Sequence, residues 1–365
     1  MKIQVKQAQL ARGVALVSRI ASVRATLPVL ANILLKTEGG RLYLTATDLE
    51  VGITTWIRGK IEIEGAITVP ARLLADFVSN NTDEQLTLEQ VKETLTITSE
   101  HHRVTMNGIP ESEFPLIPTV TGAIEFILPV QMVKEVVAQT LFAAALDDTR
   151  PVLAGVLFAT NEATLTVAAT DSYRLAERRV TLAEPVAAFR HIVPHRSLSE
   201  LQRMLPPEGE VKFAFMENQL QVTVEDRELV SRLIDGNFPD YQQIIPKKPI
   251  TTTIVNRTAL IDAVRLASFF ARDSANHVKV AVTDEQLTLS AVSAQLGASQ
   301  STIAVESTGE PLDIAYNAKF LLDVLQVMSG ETVSLEFSGP VAPTLVTDAQ
   351  IPDAQFIVMP LRTEK

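Results

Sequence analysis

The chain has 365 residues, 46% of them hydrophobic and 21% charged. That is enough apolar material for a sizeable core and rules out a disordered chain. Forty-three acidic residues against 32 basic ones give a net charge of −11, so the surface as a whole does not grip nucleic acid. With no cysteine, disulfides, thiolate zinc sites, iron–sulfur clusters and cysteine nucleophiles are excluded.

The N-terminal Met-Lys-Ile-Gln-Val-Lys-Gln-Ala has no continuous apolar region of the kind a secretory signal carries. Every apolar run is far shorter than the ~20 residues that cross a bilayer. A cytoplasmic protein without membrane contact is the expectation. Along "AQLARGVALVSRIA" the spacing predicts a helix with Leu10, Val14, Val17 and Ala21 on one face. After it come stretches of period two such as "RLYLTATD", separated by turns such as Glu38-Gly39-Gly40. A second helix of the same kind runs over 131–142 with Met132, Val133, Val136, Val137 and Leu141 inward. In a third, Asn256 caps a helix carrying Leu260, Val264 and Ala267.

These elements recur. "LPVLANILLKTEGGRLYLTATDLE" (27–50), "RPVLAGVLFATNEATLTVAATDSY" (150–173) and the weaker "NHVKVAVTDEQLTLSAVSAQL" (276–296) share one pattern, with Ala46, Ala169 and Ala291 in matching places. A second triplet, "ITVPARLLADFV", "HIVPHRSLSELQRML" and "DIAYNAKFLLDVL", runs from strand into helix and matches Pro70, Pro194 and Tyr316. Both triplets give one period of roughly a third of the chain, too long for a solenoid repeat. The chain therefore reads as three domain-sized copies, 1–122, 123–249 and 250–365. Each is an α+β unit of two helices and about eight strands, the helices covering one face of antiparallel sheet.

Chemistry is sparse. Gly52 to Gly59-Lys60 has the wrong spacing for a phosphate loop, with Ile61 where Ser or Thr is needed, and reads as a strand carrying Trp56. No pair among His101, His102, His191, His195 and His277 has the helical spacing of a zinc site, and His101 and His102 are expected on opposite faces of a strand. Asp147-Asp148 reads as a turn. The absence of Gly-x-Ser-x-Gly and Gly-x-Gly-x-x-Gly lowers the enzyme reading, and neither a cofactor nor a metal is expected. Basic residues, by contrast, fall on the predicted helices: Lys6, Arg12, Arg19, Arg72, Lys134, Arg196, Arg203, Arg265 and Lys319. Facing one way, they form a stripe that touches phosphates without reading bases.

"RATLPVLANILLKTEGGRLYLTATDLE", "TVPARLL", "LAGVLFATNEATLTVAATDSYRLA", "IDGNFPDYQQIIP" and the C-terminal "FIVMPLR" together resemble the bacterial β sliding clamps, from Met1 to Arg362. That resemblance implies a clamp fold, three copies per chain, with helices lining a ring and antiparallel sheets outside. It implies a head-to-tail homodimer that encircles double-stranded DNA without sequence preference. The replicative DNA polymerase, the clamp loader and other proteins with clamp-binding motifs would be its partners. By the same match Arg24, Arg72 and Arg196 would contact DNA. The family often has aromatics where Pro151 and Val152 stand and an amide at Asp147.

The resemblance also implies a partner-peptide pocket between the second and third copies. Leu153, Thr170, Arg174, Leu175, Pro239 and Ile244 would form one side of it, with Arg174 on a polar rim. Val341, Ile357, Val358, Met359, Pro360 and Leu361 would form the other. The chain departs from the family at Ser172-Tyr173, where Gly-His is common, at Gln243 for a frequent Arg, at Pro343 for Ser, and in the extra Thr363-Glu364-Lys365. At the dimer joint, Phe269 and Phe270 would meet Val104 and Met106 of the partner, a sheet edge on each side pairing across. A repeat-built protein-binding scaffold without DNA association is the alternative.

Overall fold

The computed structural model describes residues 1–21, 27–118, 123–147 and 149–362. The first copy runs β1 (Lys2–Lys6), α1 (Gln7–Val17), β2 (Asn32–Glu38), β3 (Arg41–Thr47), β4 (Val51–Arg58), β5 (Lys60–Ile63), β6 (Ala66–Pro70), α2 (Ala71–Asn80), β7 (Gln85–Val91), β8 (Thr94–Thr98) and β9 (Arg103–Asn107). The second runs β10 (Ile124–Pro129), α3 (Val130–Leu141), β11 (Gly155–Asn161), β12 (Thr164–Thr170), β13 (Arg174–Thr181), β14 (Arg190–Pro194), α4 (His195–Met204), β15 (Glu210–Phe215), β16 (Gln219–Val224) and β17 (Arg227–Arg232). The third runs β18 (Thr251–Asn256), α5 (Arg257–Ala271), β19 (His277–Val282), β20 (Gln286–Ser293), β21 (Gly297–Ala304), β22 (Glu306–Gly309), β23 (Leu312–Asn317), α6 (Ala318–Gln326), β24 (Thr332–Phe337), β25 (Thr344–Thr347) and β26 (Ala354–Val358).

The repeat is visible in the backbone. Ala46, Ala169 and Ala291 each occupy the sixth place of β3, β12 and β20 and are buried. Pro70 ends β6 and Pro194 ends β14, each directly before a helix. In the third copy that place belongs to Asn317, one residue after Tyr316, because Asn317 caps α6 by accepting from the Lys319 N–H at 2.9 Å. Asn256 caps α5 as expected, its Oδ1 accepting from Ala259 N at 2.9 Å, a bond worth about 1 kcal/mol.

Two corrections concern the first helix. It stops at Val17, so Ala21 and Arg19 lie beyond it and Ile20 takes the buried place. Lys6 is the last residue of β1 and not helical. Gly13 sits where α1 rests on the sheet: a methyl there would come within 2.5 Å of Leu44 Cδ1, so the close approach requires the missing side chain.

The chain forms two compact units, Met1–Gln131 with Ser199–Leu233 and Met132–Leu198 with Ile234–Lys365. The first holds a five-stranded sheet, β5-β1-β7-β8-β9, and an eight-stranded sheet, β10-β15-β16-β17-β4-β3-β2-β6. The second holds a nine-stranded sheet, β14-β11-β12-β13-β26-β25-β24-β18-β22, and a four-stranded sheet, β21-β20-β19-β23. Strands of different copies pair: β17 with β4, Leu229 opposite Ile53, and β13 with β26, Leu175 opposite Ile357. Each pairing removes two sheet edges that would otherwise be exposed. Phe126, Phe213 and Phe215 stack in the first unit, with Phe126 and Phe213 centroids 5.2 Å apart. No helix among the described residues is long and apolar enough to cross a membrane.

Candidate functional site

The turn from β12 into β13 is built by its own side chains. Thr170 Oγ1 donates to Arg174 O at 2.7 Å and accepts from Ser172 N at 3.1 Å. Asp171 Oδ1 accepts from the N–H groups of Tyr173 and Arg174 at 2.9 and 3.0 Å. Ser172 is left-handed, φ 79°, a conformation glycine adopts without strain. The first copy repeats the device around Thr47, Asp48 and Leu49, with Leu49 at φ 80°.

β26 lies beside this turn. Its ladder ends with Val358 opposite Arg174, after which Met359 N donates to Tyr173 O at 2.8 Å and Leu361 N to Ala315 O at 2.8 Å. Ile357 and Leu175 enter one apolar cluster with Leu157, Ile192, Phe238, Tyr241 and Leu345. Val152, Ile234, Ile245 and Met359 are partly buried against it and form its accessible edge.

The predicted residues divide accordingly. Leu175, Ile357 and Met359 meet in the cluster, Thr170 shapes the turn, and Leu153 is buried, its carbonyl accepting from Ala145 N at 2.8 Å. Pro360 and Leu361 follow, half-buried, and Pro239 is exposed. Three placements differ from expectation. Val358 is fully buried on the opposite face of β26 from Ile357, among Leu260, Tyr316 and Phe337, because strand neighbours alternate and this strand is covered on both sides. Ile244 is 41% exposed while Ile245 packs on the cluster. Arg174 is no rim residue. It is 6% exposed, bonded to Asp171 and Asp323, with its guanidinium 4.7 Å from the Phe320 ring centre. Val341 is exposed in the β24–β25 loop. The sequence reading missed Tyr241, Phe238, Val152 and Ile245, whose apolar character is no different from any core segment.

Of the basic residues, Arg72 is exposed on α2, 4.0 Å from Asp76, and Arg196 is exposed on α4. Arg24 lies outside the described residues, as does Asp148. Asp147 holds a turn through the Thr149 N–H at 3.1 Å. His101 and His102 sit in the β8–β9 turn instead of on strand faces, with ring centres 6.4 Å apart.

At the expected joint, Phe269 is 51% exposed and Phe270 half-buried near the end of α5. Leu266, missed from the sequence, extends that apolar face at 54% exposure. Val104 is partly exposed on β9, but Met106 is 1% exposed and faces its own sheet's core opposite Leu95. β9 and β21 are edge strands of their sheets.

Three consecutive copies of one α+β unit, joined through shared antiparallel sheets, define a processivity-clamp fold. Models of the DNA polymerase III beta subunit match in succession: the N-terminal domain over residues 1–118, the central domain over 127–240 and the C-terminal domain over 242–362. A beta sliding clamp of Synechocystis is 33% identical over 388 aligned residues, covering 99% of both chains. One of Proteus mirabilis is 31% identical, covering 99% of this chain and all of that one. Among solved structures, the DNA polymerase III subunit beta of Pseudomonas aeruginosa superposes with a TM-score of 0.95 at 29% identity, and a DNA polymerase sliding clamp of Bacillus subtilis with 0.97 at 28%, each over the full length of both chains. The chain belongs to the DNA polymerase III beta subunit family, the beta sliding clamps.

Proposed function

We propose that the chain works as a ring-shaped processivity clamp, encircling duplex DNA and tethering the replicative polymerase without catalysing a reaction. The observation that carries this reading is the full-length correspondence in fold and domain order to sliding clamps. The charge distribution agrees with it. A net charge of −11 opposes tight binding, while arginines on helices, Arg72 and Arg196 together with Arg24, give mobile contact with phosphates. Ring topology then supplies the retention that affinity does not.

The ring closes as a head-to-tail homodimer, the first copy of one chain against the third of its partner. Leu266, Phe269 and Phe270 on α5, the edge of β21 and, on the other side, Val104 with the edge of β9 form the joint. The apolar cluster rimmed by Met359, Val152 and Ile245 takes short peptide tails of the polymerase, the clamp loader and other clamp-binding proteins, an adaptable methionine suiting varied ligands. The chain acts in the cytoplasm, with no membrane partner and no cofactor. The repeat boundaries at 122 and 249 mark its three domains.

One experiment separates this from a scaffold that never meets DNA. Loaded on nicked circular DNA, the protein should co-elute with it through a sizing column and be lost once the DNA is cut to a linear form. Equal retention on both forms, or on neither, would refute the ring.

A further inference from the structure

The first unit contains an open cleft of about 750 Å³ that the clamp reading leaves unused. Its origin is a mismatch of strand lengths. β17 begins at Arg227, opposite Thr55, and Asp226 O just before it accepts from Trp56 N at 3.2 Å, so β4 continues through Ile57 and Arg58 without a strand partner on that side. Arg12 and Arg19 border the opening from the α1 side, and Glu200 and Arg203 from α4.

Six arginines line it against three carboxylates. Glu200 is engaged by Arg19 and Arg203, and Asp226 by Arg227. Arg12, Arg41 and Arg58 are exposed and have no carboxylate partner among the described residues. Arg41 and Arg58 also stand directly opposite each other in the β3–β4 register. Like charges so placed weaken a hairpin, and no ion pair among the described residues offsets them, whereas a bound polyanion would. Beside them the half-exposed Trp56 lies opposite Tyr43 in register, ring centres 6.0 Å apart, with Arg41 5.7 Å from the indole centre. Guanidinium groups around an aromatic platform suit phosphates and bases together; an acidic peptide would use the arginines alone.

We propose that this cleft binds a short stretch of single-stranded DNA, its phosphates on Arg12, Arg41 and Arg58 and a base against Trp56. Trp56 is the chain's one tryptophan, so its fluorescence reports on this site. Titrating the full-length protein with a short oligothymidylate at low salt should quench that fluorescence. Three phosphate contacts at about −0.7 each should give a log–log salt slope of about −2. With a labelled oligonucleotide followed by anisotropy, Arg58→Glu should weaken binding about tenfold and flatten the slope by about one contact. Trp56→Leu should weaken it at least about fivefold. Circular dichroism verifies the fold of each variant. Retention on nicked circular DNA reads the ring separately, and Arg58→Glu should keep it while losing the oligonucleotide. The proposal is overturned by no quenching, by unchanged oligonucleotide binding in Arg58→Glu, or by a polyglutamate peptide competing as well as the oligonucleotide does.

Discussion

Tyr241 donates its phenolic hydrogen bond to Glu177 Oε2 at 2.5 Å, beneath the apolar cluster that the partner peptide would enter. Glu177 is 1% exposed and also accepts from Gln355 Nε2 at 2.7 Å and pairs with Arg179 at 2.9 Å. A buried carboxylate needs every one of these donors. Tyr241→Phe keeps the ring and its edge-on contact with Phe238 but leaves Glu177 short of one donor. It should destabilise the fold by about 1–3 kcal/mol, read as a shifted urea midpoint. Burial first, then the Glu177 bond, raises the Tyr241 pKa far above the ordinary range. The folded phenol therefore stays neutral where the unfolded one ionises, and stability falls as pH rises above about 10. Alkaline difference spectra in which all four tyrosines titrate together would contradict this.

The apolar face of α5 is the surface proposed for the ring joint. Leu266 and Phe269, three residues apart on one helical face, are 54% and 51% exposed, and side chains of that size left in water mark a contact surface. Met106, buried within its own sheet, contributes packing to β9 and no surface. Phe269→Glu should therefore yield folded monomers in sedimentation, and Met106→Leu should leave the dimer intact. A stable Phe269→Glu dimer at low micromolar concentration would remove α5 from the joint.

His101 and Asp83 make a pH-dependent contact in the first unit. His101 Nδ1 lies 2.8 Å from Asp83 Oδ1, and the His101 N–H donates to Asp83 Oδ2 at 3.0 Å. The Asp83 hydrogen bond and charge, with Glu100 adding, raise the His101 pKa. Ser99 and then His101 hold the Asp83 carboxyl well below the usual range. The raised histidine stabilises fully below its unfolded value near 6.5, and that contribution is lost as pH rises through the folded pKa. The lowered aspartate contributes above about 3.9 and loses its effect as pH falls. His101 faces solvent while Asp83 is half-buried beneath it, so the effect is local. In an NMR titration the His101 pKa should fall in Asp83→Asn relative to the wild-type chain. A His101 titration unchanged by Asp83→Asn would dispose of the pairing.

The three-copy fold was legible because period and alternation are local properties: Ala46, Ala169 and Ala291 fall at one place in three strands. The pairings of β4 with β17 and β13 with β26 were not, since a strand's sequence does not name a partner far along the chain. At the site, Leu175, Ile357 and Met359 were readable from pattern and resemblance. Ile245 was not separable from Ile244, because a short helical turn decides which of two adjacent isoleucines faces in. Arg174 looked like a rim charge, and only the fold reveals Asp171, Asp323 and Phe320 closing around it.

The segment after β26 ties the pocket to the chain's last residues. Ile357 belongs to the buried cluster, whereas Met359 only borders it. Its backbone is held by Tyr173 O, and Leu361 is held by Ala315 O. Met359 is therefore placed by the main chain while its side chain stays adaptable, the arrangement a promiscuous peptide groove needs. Removing Met359 to Lys365 takes away that edge and two main-chain anchors but leaves the β26 ladder and the α5 face. Partner-peptide binding should disappear while the dimer persists. Met359→Ala, which keeps both backbone bonds, should weaken a fluorescent peptide with a Gln anchor and Leu or Phe plugs about tenfold, equivalent to about 1.4 kcal/mol. Removing Thr363 to Lys365 alone should leave affinity unchanged. If the longer truncation bound the peptide as tightly as the intact chain, the partner surface would have to lie elsewhere.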